Sequence, residues 1–212
     1  MSKAPYVFQS REELLNLLQS ETTKARAEEF FSIRLPDIRS VVLQSIAGNT
    51  FRAFHNLPER PSIIFRDWAS ARLHYTLEVL TSIIDRETYA DYVHESALDL
   101  CATWYSKMNT EIGYGRSTKL LNLVLKKLAC FESIDSATRN RIINFLHVPL
   151  DSYTIVGLRK LISSPKIPRY ATMKFIEKPN DYRIIQRYIL DVAREAGVPP
   201  IYYDILAWDM AH

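Results

Sequence analysis

The sequence predicts an all-α fold. Long segments carry apolar residues at the spacing of one helix face, and the two longest, 62–84 and 87–108, contain neither glycine nor proline. No segment of any length alternates apolar and polar residues with the period of two that a half-buried strand requires. With 212 residues, the chain is long enough to form one domain or two small lobes around an apolar core.

Capping residues and helix breakers assign the helices in order. Ser10, followed by Glu13, is typical of a capping box and predicts a helix that runs to about Phe31. Pro36 suits the first turn of a second helix, and Gly48 suits its end. Beyond the two long helices, the pattern predicts helices over 120–128, 133–145, 153–162 and 181–196, and from Pro199 to the end of the chain.

Charge is distributed unevenly along the chain. Between Ile112 and Lys174 there are eleven Lys or Arg residues and three Asp or Glu residues, a net charge of +8. Because the whole chain carries only +3, the remaining residues carry −5. A basic segment in an otherwise acidic chain favours a face that binds a polyanion. The alternative is that these cations merely keep helix surfaces solvated.

Several functional classes are disfavoured. No apolar run approaches the roughly 18 residues of a membrane span, and residues 1–11 lack the apolar core of a secretion signal, so we expect an intracellular, cytoplasmic protein. Cys101 and Cys130 lie in apolar helical patterns and are expected to be buried free thiols. Walker-type, His-Glu-x-x-His and Cys/His metal motifs are absent, so neither a metal nor a cofactor is expected.

A short glycine motif opens the most informative stretch, 112–152. Two of the five glycines, Gly113 and Gly115, lie one residue apart between two helical patterns. Glycine lets a backbone approach a ligand closely, and the amides that begin the next helix favour a phosphate. Arg116 follows directly and is placed to bind a phosphate as well. Lys119 then lies in the first turn of the predicted helix, and Asp151 follows Pro149 as a candidate N-cap of the helix over 153–162.

This combination resembles the helix-hairpin-helix DNA glycosylases. Those enzymes carry a Gly-x-Gly hairpin, a lysine shortly after it, an asparagine three residues past the lysine and a turn that holds a catalytic aspartate. The matching residues here are Lys119, Asn122 and Asp151. Three residues separate Gly115 from Lys119, where many members have fewer. The step of 32 residues from Lys119 to Asp151 is similar to that of the archaeal 8-oxoguanine DNA glycosylases.

The end of the chain carries a second resemblance to the archaeal enzymes, which finish in a proline-led helix with an Asp and a Trp at the base pocket. Asp204 and Trp208 have the same spacing of four, which places them one turn apart on one helix face. The resemblance covers roughly residues 95–212. It implies a single glycosylase unit over 1–212, a two-lobed helical bundle with a helix-hairpin-helix and catalytic segment over 109–164.

The resemblance implies an N-glycosylase that flips a damaged or modified base out of duplex DNA and excises it. Asp151 would stabilise the cation-like sugar, and Lys119 would form a Schiff base if strand cleavage accompanies base release. Trp208 would stack on the flipped base, and Asp204 would hydrogen-bond its edge. Gln44, on the predicted second helix, is either a partly exposed polar residue or an amide that reaches the base.

The sequence leaves two alternatives for the base that is excised. The archaeal resemblance suggests an oxidised purine such as 8-oxoguanine, whereas a hypermodified base of phage DNA, such as glucosylated hydroxymethylcytosine, would make this a defence enzyme. The expected partner is duplex DNA that carries such a base. We expect the protein to be a monomer and not to associate with a membrane. Two alternatives are a non-catalytic helix-hairpin-helix DNA-binding protein and a helical protein whose basic face meets an acidic partner.

Overall fold

The computed structural model describes residues 4–47, 50–51, 54, 57–83 and 85–211. Over these residues the fold is all-α, as predicted: there are ten α-helices and one short 3-10 helix, and no β-strand beyond a single bridge between Leu35 and Phe131. Gly48, the predicted end of the second helix, lies outside the described residues. No described helix is both long enough and apolar enough to cross a membrane.

The helices have the following bounds: α1 Arg11–Gln19, α2 Glu21–Ser32, α3 Ile38–Ser45, α4 Pro61–Ser82, α5 Arg86–Met108, α6 Tyr114–Leu128, α7 Ser136–Phe145, α8 Ser152–Gly157, α9 Pro179–Ala196 and α10 Tyr202–Asp209. The 3-10 helix Met173–Phe175 precedes α9.

The first predicted helix is divided in two. Ser10 caps α1 as expected, because its hydroxyl accepts a hydrogen bond from the amide of Glu13 at 3.1 Å. The helix does not continue to Phe31, since Ser20 adopts an extended backbone conformation between α1 and α2. The hydroxyl of Ser20 accepts a hydrogen bond from the amide of Thr23 at 3.3 Å and thereby caps α2. Prediction of one continuous helix was therefore wrong at this point.

Helix α6 begins earlier than predicted. Gly113 is its N-cap and has a φ of 82°, which a residue with a Cβ rarely adopts. Because the helix starts at Tyr114, Lys119 is its sixth residue and lies in the second turn, not the first. Helix α8 is shorter than predicted and ends at Gly157.

Helix α6 is the centre of the packing. It contacts α5, α3 and the 3-10 helix, while α10 packs against α2 and α8. The buried face of α6 consists mainly of leucine and valine: Leu120, Leu121, Val124, Leu125 and Leu128. Cys130, just beyond α6, is a buried free thiol as predicted, whereas the free thiol Cys101 is only partly buried. The division into two lobes and the helix-hairpin-helix assignment stay predictions.

Candidate functional site

A cleft of about 720 Å³ brings together residues from six separate parts of the chain. Five residues singled out from the sequence line it: Gln44 from α3, Lys119 from α6, Asp151 from the turn before α8, and Asp204 and Trp208 from α10. The cleft is thus formed where α6 and α10 approach the start of α8.

Lys119 and Asp151 form a largely buried ion pair in this cleft. The Nζ atom of Lys119 lies 3.5 Å from Oδ2 of Asp151, and the two side chains are 14% and 7% exposed. The other carboxylate oxygen, Oδ1, accepts hydrogen bonds from the amides of Tyr153 at 2.9 Å and Thr154 at 3.2 Å. Asp151 is therefore the N-cap of α8, as predicted, and the cap holds Oδ2 in position beside the lysine.

A second buried ion pair lies in the same cleft. The Nζ atom of Lys126 lies 2.7 Å from Oδ2 of Asp204, and the two side chains are 11% and 5% exposed. Burial raises the pKa of the Asp204 carboxyl above its usual value, while the ammonium of Lys126 opposes this shift and the charge of Asp151 adds to it. The site therefore holds two amines and two carboxylates that influence one another electrostatically.

Lys126 is not recognisable as a site residue from the sequence motifs. The available signal was its spacing from Lys119, since residues seven apart on a helix lie on the same face two turns from each other. A lysine in the second half of an amphipathic helix is ordinarily solvated, and its partner Asp204 lies 78 residues further along the chain. Only the tertiary fold brings this pair together.

Aromatic rings form the walls of the cleft. The Nζ atoms of Lys126 and Lys127 lie 4.1 Å and 4.4 Å from the ring centroid of Phe30. The rings of Tyr153 and Trp208, which also line the cleft, contact each other, with centroids 4.9 Å apart. Trp208 is 40% exposed, whereas Asp204, one turn earlier on α10, is buried. The aromatic face of the cleft is therefore accessible and its acidic group lies deeper.

Gln44 lies at the edge of the cleft. It is exposed on α3, one residue from the end of that helix. Its position is compatible with either predicted role, that of a surface amide or of a group reaching a bound base.

The three hairpin residues do not line the cleft. The amide of Gly115 donates to the carbonyl of Ile176 at 2.9 Å, and a Cβ at this glycine would lie 2.0 Å from the carbonyl oxygen of Met173. The amide of Gly115 is therefore unavailable to a phosphate, and this part of the prediction was wrong because the glycine lets α6 pack closely against the 3-10 helix. Gly113 is exposed at the start of the helix.

The guanidinium of Arg116 packs on an aromatic ring. Its Cζ atom lies 4.8 Å from the ring centroid of Phe54, and Nη1 donates to the carbonyl of Ile112 at 3.4 Å. Burial lowers the pKa of this guanidinium. Phosphate binding by Gly113 and Arg116 stays a prediction.

Asn122, which matched the glycosylase pattern, faces away from the cleft. It is fully buried, and its amide nitrogen donates to the hydroxyl of Tyr182 on α9 at 2.8 Å. In this fold Asn122 connects α6 to α9, so its place in the pattern reflects packing and not contact with the cleft.

Comparison of the chain with known proteins finds no matching family model, no matching curated protein and no matching solved structure. Among the described residues, no group of three or more His, Cys, Asp or Glu side chains is placed to hold a metal ion. The two ion pairs and the cleft around them are therefore the features of this chain that bear on its function.

Proposed function

We propose that this protein is a DNA N-glycosylase that flips a modified base into the cleft and excises it, with Schiff-base chemistry at Lys119. One observation carries the proposal: the amine of Lys119 and the carboxylate of Asp151 lie 3.5 Å apart in an open cleft with Asp204 and Trp208. An amine and a carboxylate in contact are the two groups that cleavage of an N-glycosidic bond with a covalent intermediate requires.

The pair has a defined role in each step. Lys119 must first lose a proton, and Oδ2 of Asp151 is the neighbouring acceptor. The amine then attacks C1′ of the flipped nucleotide, and the electron pair of the glycosidic bond leaves with the base, which takes up the proton that Asp151 received from Lys119. The carboxylate of Asp151, regenerated in this way, stabilises the positive charge that develops on the sugar. Opening of the sugar gives an imine on Lys119, from which elimination of the 3′ phosphate cleaves the strand.

The other cleft residues suit recognition of the base. A flipped base must be held between an aromatic face and polar groups on its edge. Trp208, supported by Tyr153, offers the accessible aromatic face, and Asp204 with Lys126 offers an acceptor and a donor 2.7 Å apart. Gln44 adds an amide at the rim.

The size of the cleft bears on the substrate. Its volume of about 720 Å³ lies in the range of pockets that bury a complete drug-sized ligand. A cleft of this size accommodates an oxidised purine such as 8-oxoguanine and also a base that carries a sugar, such as glucosylated hydroxymethylcytosine. We therefore propose these two bases as the substrates to compare, the first indicating repair and the second phage defence.

The charge of the chain supports a DNA partner. The segment between Ile112 and Lys174 has a net charge of +8 and contributes Lys119, Lys126 and Lys127 to the cleft. Such a concentration of cations attracts the phosphate backbone and makes binding depend strongly on salt.

A panel of duplex oligonucleotides tests the proposal. Each duplex carries a single 8-oxoguanine, a single glucosylated hydroxymethylcytosine or only ordinary bases, and heating in alkali reveals abasic sites. We expect cleavage at one modified base and none in the ordinary duplex. A protein that only binds DNA would shift all three duplexes in a gel and release no base.

Two variants connect the activity to the ion pair. Borohydride trapping of the protein on DNA should disappear in Lys119→Gln, and base release should fall by about 100-fold or more in Asp151→Asn. Lys127→Gln is the matched control, because Lys127 lines the same cleft from the same helix but pairs with no carboxylate within 4.0 Å among the described residues. Undiminished base release in both Lys119→Gln and Asp151→Asn would refute the assignment.

A further inference from the structure

A second cavity, of about 590 Å³, lies between α5 and α9. None of the residues that line it lines the cleft of the proposed glycosylase site. The proposed function therefore does not explain the composition of this cavity.

Arginine dominates the rim of the second cavity. Arg183, Arg187 and Arg194 follow one another on α9 at spacings of four and seven, which places them on one helix face. Arg86, the first residue of α5, faces them. Among the described residues, Glu87 is the single acidic one in the lining, so the rim carries a strong excess of positive charge.

Most of this charge is uncompensated within the part of the chain that the structure describes. Arg187 lies 3.3 Å from Asp191, but Arg86, Arg183 and Arg194 form no ion pair within 4.0 Å with any described residue. Burial, and secondly the charge of Arg194, lowers the pKa of Arg86. Arg86 and Arg194 therefore repel each other without a carboxylate beside them, and an anion between them relieves the repulsion.

The floor of the cavity is neutral and aromatic. The rings of Tyr114 and Tyr182 lie 5.9 Å apart, and Nδ1 of His147 lies 3.0 Å from the hydroxyl of Tyr182. Burial, with a contribution from Arg86, lowers the pKa of His147 to about 4, so its imidazole is uncharged at neutral pH. Among the described lining residues, the arginines therefore carry the positive charge, while Tyr114, Tyr182 and His147 present uncharged rings.

From this arrangement we infer that the second cavity binds a small organic phosphate, with the phosphate between the arginines and the organic part against the tyrosine floor. Arginine binds phosphate oxygens in pairs with its planar fork of donors. The volume is that of a small-molecule pocket. A concave site with an aromatic floor suits a compact ligand better than it suits the continuous backbone of duplex DNA, which requires an extended basic track.

Titration calorimetry with ADP tests the inference. We expect ADP to bind the native chain and to bind the double variant Arg183→Gln/Arg194→Gln at least about tenfold more weakly, because each charge-assisted hydrogen bond lost costs about that factor. Both arginines are exposed, so the substitutions should leave the fold intact, which circular dichroism checks. The matched control is Arg39→Gln/Arg60→Gln, two exposed arginines outside the cavity, and it should bind ADP like the native chain.

Two further measurements separate this site from the DNA cleft. Lys119→Gln should retain ADP binding, since Lys119 does not line the second cavity. If Lys119→Gln loses ADP binding, the nucleotide occupies the cleft and the inference fails. It also fails if ADP does not bind, if the arginine double variant binds ADP normally, or if that variant loses only affinity for duplex DNA. None of these outcomes bears on base release, which tests the proposed function separately.

Discussion

Removal of Lys126 should destabilise the protein strongly. The substitution Lys126→Met keeps an unbranched apolar chain in the core but leaves the carboxylate of Asp204 without the ammonium that lies 2.7 Å away. Asp204 is buried, with a side chain 5% exposed, so water does not replace the lost partner. Breaking a buried pair on one side typically costs about 3–5 kcal/mol in the free energy of unfolding.

Removal of both charges should cost much less. In Lys126→Met/Asp204→Leu no charge remains buried, and such replacements are often close to neutral, within about 1–2 kcal/mol. The penalty in the single variant should also depend on pH. Without Lys126 the pKa of Asp204 rises further, so the native state binds a proton that the unfolded state has released. Stability then falls as pH increases, and the difference from the native chain is larger at pH 8 than at pH 5.

Urea unfolding at the two pH values measures these free energies. Lys127→Met is the matched control, because Lys127 also lies over the ring of Phe30, at 4.4 Å, but is not paired with Asp204. Its loss should cost less, about 0.5–2 kcal/mol, the range for a cation–π contact of a partly buried lysine. Equal losses in Lys126→Met and in the double variant would show that the charge left on Asp204 is not what destabilises the single variant.

Three further changes have defined outcomes. Gly115→Ala places a Cβ 2.0 Å from a backbone oxygen of Met173 and should cost about 1–3 kcal/mol by urea unfolding; an unchanged midpoint would contradict the packing role. The pKa of His147 is about 4 in the folded chain and near 6.5 in the unfolded chain, so the unfolded state takes up a proton first as the pH falls. Between pH 6.5 and pH 4 the native chain should therefore lose at most about 3 kcal/mol more of its free energy of unfolding than His147→Gln loses. Equal losses in the two proteins would disprove this. If stacking holds the base, Trp208→Ala should lower kcat/KM for base release roughly 5- to 100-fold, while Tyr105→Ala, an exposed aromatic outside the cleft, should not.

Helical periodicity was sufficient to predict the fold class and most helices, because the apolar stripes and caps are local features. The break at Ser20 was missed, since a serine inside an otherwise continuous apolar pattern gives only a weak local signal. The start of α6 was misplaced because glycine normally disfavours a helix interior. At Gly115 the backbone of Met173 packs so closely against α6 that a residue with a Cβ does not fit.

The candidate site could be predicted only in part. Lys119, Asp151, Asp204 and Trp208 were found because their order and spacing resemble a glycosylase pattern, and all four line one cleft. Lys126 could not be predicted, because its place in the cleft depends on burial and on a partner distant in sequence, and a local pattern contains neither.

The two oxygens of the Asp151 carboxylate have different partners, and this affects how variants of the protein should be chosen. Oδ1 of Asp151 accepts the two amide hydrogen bonds that cap α8, and this fixes the direction of Oδ2 in the cleft. Formation of the cap therefore also places Oδ2 beside Lys119. An asparagine at this position keeps an oxygen for the cap while it removes the negative charge, so it tests the proposed chemistry without removing the cap. An alanine would remove both, and the two effects could not be separated.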